Sequence, residues 1–123
     1  MPAPRNAAKA HSRAHRRPVT SGPRSALVEL PAVGCQLPVP EPPRGRRWSA
    51  AELERWRELW ESPQATQWDD TARGTVAMLV TYEAAVFSGD ASAWQAQEAR
   101  YAAEALGLTP RALASLGWRI VDD

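Results

Sequence analysis

Apolar side chains recur at helical spacing from residue 48 onward and almost nowhere before it. Leu53, Trp56, Leu59 and Trp60 form one stripe, while Glu54, Arg55, Glu58 and Glu61 fill the remaining positions. This is an amphipathic helix with one face on a core. Its start is marked twice: Ser49 as N-cap with Glu52 three residues on makes a capping box, and Trp48 with Leu53 makes a hydrophobic staple. Ser62-Pro63 ends this helix, over about 50–61, and begins a short turn through Trp68. A second helix, about 70–88, is capped by Asp69 or Asp70 and carries Ala72, Val76, Leu79, Val80, Val86 and Phe87. Gly74 inside it weakens the local propensity or admits another backbone. Gly89-Asp90 is a tight turn into a third helix, about 91–106, with Trp94, Tyr101, Ala102, Ala105 and Leu106 as its stripe. Two helices of similar length on so short a connector predict an antiparallel hairpin. Gly107 ends the third helix as a left-handed C-cap residue. Thr109 and Pro110 open a fourth, about 110–117, with Leu108 and Leu113 as staple and Leu113, Leu116, Trp118 and Ile120 on its apolar side. No strand pattern emerges, so the expected fold class is all-α: a small helical domain with a central antiparallel helical hairpin.

The segment before Trp48 has a different character. Nine of the eleven prolines lie at or before Pro43, and all nine aromatic residues lie at or after Trp48. Residues 1–47 carry nine Lys/Arg against Glu29 and Glu41, a net +7; residues 48–123 carry six Arg against twelve Asp/Glu, a net −6. A near-neutral total thus hides a basic arm on an acidic body. Ala26–Leu30 is the one apolar stretch of the arm, and Leu37–Pro43 reads as polyproline-like chain. Asn6–Arg17, rich in Ala, Lys and Arg, suits a transient helix on an acidic partner. Without aromatics such an arm cannot bury enough area to offset its ordering entropy. Residues 1–47 are therefore expected to be a disordered basic, Pro-rich arm and linker, and residues 48–123 the folded domain.

Composition narrows the chemistry. A body of roughly 75 residues is marginal alone and often adds buried area by oligomerising. No run approaches the roughly 20 apolar residues of a membrane span, so no membrane role is expected. The N-terminus lacks the apolar stretch of a secretory signal, and early prolines disfavour a transit helix. A single cysteine, Cys35, excludes an intrachain disulfide and fits a reducing cytoplasm. His11 and His15 stand at i, i+4, but no cysteine or carboxylate accompanies them, and no metal or other cofactor is expected. Asp69-Asp70 suits a helix N-terminus and Asp122-Asp123 a polar tail. There is no Gly-rich phosphate loop and no nucleophile–base arrangement, so the chain is not expected to be an enzyme.

Two features point to binding. The arm cations Arg5, Lys9, Arg13, Arg16, Arg17, Arg24, Arg44, Arg46 and Arg47 suit phosphate neutralisation, which is sequence-tolerant and salt-sensitive. Arg111, with Arg119, lies on a short helix after a Gly-Leu-Thr-Pro turn, as on the second helix of a helix-turn-helix, although capping explains the turn equally well. Trp56, Trp60, Trp68, Val76, Leu79, Val86, Phe87, Trp94, Tyr101 and Trp118 are expected in the core or at a subunit interface, because their helical spacing favours packing over base stacking.

Three motifs in order carry a family resemblance. They are Trp48-Ser49-Ala50-Ala51-Glu52-Leu53 with Trp56, Leu59-Trp60, Ser62-Pro63-Gln64-Ala65 and Trp68; the linker Leu30-Pro31-Ala32-Val33-Gly34-Cys35-Gln36; and Leu106-Gly107-Leu108-Thr109-Pro110-Arg111-Ala112-Leu113 closing at Leu116-Gly117-Trp118-Arg119-Ile120. Together, over roughly Val28 to Ile120, they resemble phage terminase small subunits of the type found in phages and prophages of actinobacteria. Gly117 departs from the Arg usual in that family, and the second helix is poorer in basic residues than the family's. The resemblance implies a non-catalytic subunit in the bacterial host cytoplasm. It implies a homo-oligomeric ring that recognises double-stranded viral DNA, delivers it to the terminase large subunit and modulates that subunit's ATPase and nuclease. The residues alone leave two alternatives, a dimeric helix-turn-helix DNA-binding regulator and a helical adaptor that binds no DNA.

Overall fold

The structure is a computed structural model, and it describes residues 27–122. The expectations for Asn6–Arg17 and the His11/His15 pair lie outside those residues. In chain order it runs β1 (Val28–Pro31), α1 (Ala50–Trp60), 3₁₀ segments at Pro63–Gln67 and Asp70–Ala72, α2 (Arg73–Ser88), α3 (Ala93–Ala105), α4 (Pro110–Leu116) and β2 (Trp118–Val121).

Local chemistry sets the helix ends. Ser49 Oγ accepts from the Glu52 amide at 3.1 Å and the Glu52 carboxylate accepts from the Ser49 amide at 2.9 Å, closing the expected capping box. Leu53 is exposed, and Trp48 packs on Trp56 with ring centroids 6.4 Å apart. Asp69 caps the 3₁₀ turn into α2 by accepting from the Thr71 amide at 2.9 Å. A second capping box, Ser92 with Gln95, starts α3 two residues later than its apolar pattern suggests. Thr109 Oγ1 accepts from the Ala112 amide at 3.0 Å and Pro110 opens α4.

The core is built on a row of indoles. Trp48, Trp56, Trp60 and Trp68 follow one another at centroid separations of 6.4, 5.7 and 5.2 Å, the last pair edge-to-face. Leu59, Val76, Leu79 and Val80 close around them, each fully buried aliphatic contributing roughly 1.5–3 kcal/mol. Trp68 donates its Nε1–H to the Leu106 carbonyl at 3.0 Å, tying the 3₁₀ turn to the end of α3. The most extensive helix–helix packing is between α2 and α3.

Two expectations are corrected. The fold is mostly helical but not all-α, because β1 and β2 pair in parallel, with Val28 opposite Trp118 and Leu30 opposite Ile120. Trp118 and Ile120 therefore lie on a strand. Gly117, at φ +73°, ends α4 in the left-handed region, and the chain leaves it extended. Residues 27–47 are also not a free arm. Leu30 is fully buried, Cys35 is buried, and Leu37 and Val39 pack on the core. Gly34, at φ +93°, passes so close to the Glu61 carbonyl that no Cβ fits, and the Cys35 amide donates to that carbonyl at 3.0 Å. Further along, Trp56 Nε1–H donates to the Pro40 carbonyl at 2.7 Å, Arg73 to Glu41 at 2.7 Å and Trp48 Nε1–H to Pro43 at 3.1 Å. The physical reason is that Pro-rich chain lacks amide donors for a ladder but keeps free carbonyl acceptors, which the indole and guanidinium donors of the body occupy. Residues 32–47 thus form a strap across α1 and α2.

Candidate nucleic-acid interface

Six of the expected DNA-contacting residues, Arg5, Lys9, Arg13, Arg16, Arg17 and Arg24, lie outside the described residues. The Val28 amide donates to the Gly117 carbonyl at 2.8 Å, so the first described residues lie beside the C-terminal end of α4. Arg111 is exposed on that helix with no ion pair among the described residues. By helical rise it stands roughly 9 Å along the axis from Gly117. Arg119 lies nearer still but pairs with Glu29 across the sheet at 2.9 Å.

Arg44, Arg46 and Arg47 sit together on the turn that ends the strap, and the structure divides them. Arg46 Nη2 donates to Glu52 at 2.7 Å and to Thr81 Oγ1 at 3.0 Å, Nη1 donates to the Arg47 carbonyl at 2.7 Å, and the guanidinium lies 3.7 Å from the Trp48 ring centroid. A group so engaged fastens the strap to α1 and α2 and has little left for a phosphate. It holds the Glu52 carboxyl below its ordinary value, chiefly through the hydrogen bond it donates. Arg44 and Arg47 are exposed and make no side-chain ion pair among the described residues. Arg44 also borders a shallow groove of about 380 Å³ with Trp48, Met78 and Tyr82. Of the remaining guanidiniums, Arg55 is bound by Glu83 at 2.8 Å, which raises its pKa further, and Arg57 lies among Glu54 and Glu61. Arg73 is taken by the Glu41 carbonyl, while Arg100 on α3 is exposed with only the Tyr101 ring 5.6 Å away. The cations without an ion pair among the described residues and without a carbonyl to hold them are thus at the strap turn, on α3 and on α4.

The expected core or interface set separates as well. Trp56, Trp60, Trp68, Val76 and Leu79 are buried; Val86, Phe87, Trp94 and Tyr101 are exposed, Phe87 at 81 % and Trp94 at 59 %. Trp118 is half-buried, its ring lying against Gly107, where no Cβ fits. A second groove, about 730 Å³, runs between the first turns of α1 and the last turns of α2, with Ala51, Val80, Ala84 and Phe87 as its apolar lining. Sequence reasoning missed this groove because Ala51 and Ala84 fall outside the apolar stripes of their helices. Its ionisable members are paired, Glu52 with Arg46 and Glu83 with Arg55. Among the described residues no three His, Cys, Asp or Glu gather as metal ligands, and no helix is long and apolar enough to cross a membrane. The described surface offers exposed guanidiniums without ion pairs and two apolar-lined grooves.

A sequence profile described as phage terminase small subunit matches residues 2–121, nearly the whole chain and both the basic segment and β2. No curated protein and no solved structure matches.

Proposed function

The chain belongs to the phage terminase small subunit family, a phage DNA-packaging role follows from that membership, and we propose that it acts as a homo-oligomeric ring. In this reading the ring recognises viral DNA in the host cytoplasm and delivers it to a large subunit that carries the ATPase and nuclease, without catalysis of its own. The observation that carries the proposal is the match over residues 2–121, which spans the cationic segment and the Trp-built domain together. Charge supports it: residues 1–26 carry Arg5, Lys9, Arg13, Arg16, Arg17 and Arg24 with no Asp or Glu. They precede Val28, which lies beside the end of α4, so Arg111 is taken as a contact of the same site, with Arg44 and Arg47 as further contacts. Arms multiplied around a ring gain avidity from individually weak phosphate contacts. The helices α2 and α3 serve as an antiparallel hairpin between subunits, and the exposed Phe87 and Trp94 supply apolar area that so small a domain lacks alone.

The test is removal of residues 1–26 alone, which leaves β1 and the strap in place. Six fewer cations should reduce the slope of log K against log salt by up to about 5 for each engaged arm, with the oligomer intact. An unchanged slope would refute the arm's role. A twofold assembly on a palindromic site would favour the dimeric regulator instead, and failure to bind DNA at low salt would favour the adaptor.

A further inference from the structure

From Thr81 to Glu98 no residue is buried, yet this tip of α2 and α3 carries Tyr82, Val86, Phe87 and Trp94. With the turn of α2 just before it, this tip presents two faces. Val80, Glu83, Ala84 and Phe87 stand at i, i+3, i+4 and i+7 on α2 and line the 730 Å³ groove against Ala51 of α1. Met78 and Tyr82 stand at i, i+4 on another row, and Tyr82 carries Trp94 edge-to-face at 5.5 Å. At 100° per residue, Val80 and Tyr82 point about 200° apart around the helix. The groove and the Trp94 knob therefore look away from each other, on opposite sides of α2.

The two are chemically matched. The indoles of Trp48, Trp56 and Trp68 each donate to a backbone carbonyl of this chain, whereas Trp94 Nε1–H has no acceptor among the described residues. A half-exposed Trp with an unused donor suits a site that is apolar below and accepting at the rim. The groove's lining offers both kinds of group: Ala51, Val80, Ala84 and Phe87 are apolar, and the Ser49 and Ser88 hydroxyls and the Glu83 carboxylate, which already accepts from Arg55, keep lone pairs for a further donor. Distinct patches on opposite sides of one element cannot meet across a twofold axis at a single patch. They meet head-to-tail, and such contacts propagate until the rotation closes.

We propose that the groove between α1 and α2 is occupied by Trp94 of a second copy, giving a heterologous subunit contact. The proposal rests on the ring reading above and adds its two surfaces. Light scattering on the full chain, on Ala84→Arg, on Trp94→Ala and on an equimolar mixture of the two variants tests it. Ala84 is exposed within a helix, so Arg there blocks the groove without disturbing the core; circular dichroism checks both folds. The expected result is a full chain above two subunits, each variant alone reduced to one, and the mixture restored to two, because one variant keeps the knob and the other the groove. A full chain above two subunits whose mass survives Ala84→Arg would overturn this contact and leave the ring standing. A full chain that is monomeric throughout would overturn both.

Discussion

Replacing Leu30 by Ala asks whether the segment before Trp48 belongs to the fold. Leu30 is fully buried on β1 and is set by the pairing of that strand with β2. Truncating a buried Leu removes its transfer free energy and leaves a cavity, at a cost of roughly 2–5 kcal/mol. A domain this small has a total stability of about 5–15 kcal/mol, and each kcal/mol shifts its Tm by roughly 4–8 °C. A mid-range loss of about 3 kcal/mol therefore lowers Tm by roughly 12–24 °C. The assay is urea and thermal unfolding followed by the fluorescence of the buried indoles, at fixed protein concentration because an oligomer's apparent stability depends on it. Val33→Ala is the control: Val33 is 67 % exposed three residues away and should stay within about 0.5 kcal/mol. Equal unfolding curves for Leu30→Ala and Val33→Ala would refute the claim that the chain is fixed from Leu27 onward.

Other perturbations separate the remaining interactions. Gly34→Ala should cost several times more than Gly89→Ala: both have positive φ, at about 1–2 kcal/mol for a non-Gly residue, but only at Gly34 does the new Cβ run into backbone, the Glu61 carbonyl. Denaturant titration ranks them, and equal losses would contradict the close approach. Ser92→Ala should lose about 1 kcal/mol through its capping box, and full retention would show that α3 needs no cap. Because Glu52 is depressed in the folded chain, its stabilisation is complete above the ordinary carboxylate range and is lost as pH falls through the lower folded value. Arg46→Gln should therefore flatten the acid limb of the stability–pH curve, and an unchanged limb would place that limb elsewhere. Arg46→Ala should affect stability more than DNA affinity, with Arg44→Ala and Arg47→Ala showing the reverse; a uniform loss of affinity across all three would contradict the division seen at the strap turn.

Helix starts and stops were legible wherever side-chain chemistry is local. Ser49 with Glu52, Ser62 with Pro63, Thr109 with Pro110 and Gly107 each act within four residues, so the sequence displays both partners. The strands were not legible, because β1 and β2 are four residues each and Glu29 meets Arg119 from ninety positions away. The strap was misread for a related reason. Proline content argued for free chain, but what holds residues 32–47 is donated by Trp48, Trp56 and Arg73, and no local pattern pairs a proline's carbonyl with a distant indole. At the candidate interface, counting charge found Arg44, Arg46 and Arg47 together; only the geometry gives Arg46 to Glu52 and Thr81. Periodicity likewise grouped Val76 with Phe87. It does not reveal that α2 runs past the core, leaving Phe87 in solvent.

The solution mass of the full chain, measured by light scattering with and without duplex DNA as salt is raised, tests whether the protein is a DNA-binding ring. The expected result is a closed assembly larger than a dimer that binds the duplex at low salt and releases it as salt increases. A monomer or dimer indifferent to DNA at every salt concentration would contradict it.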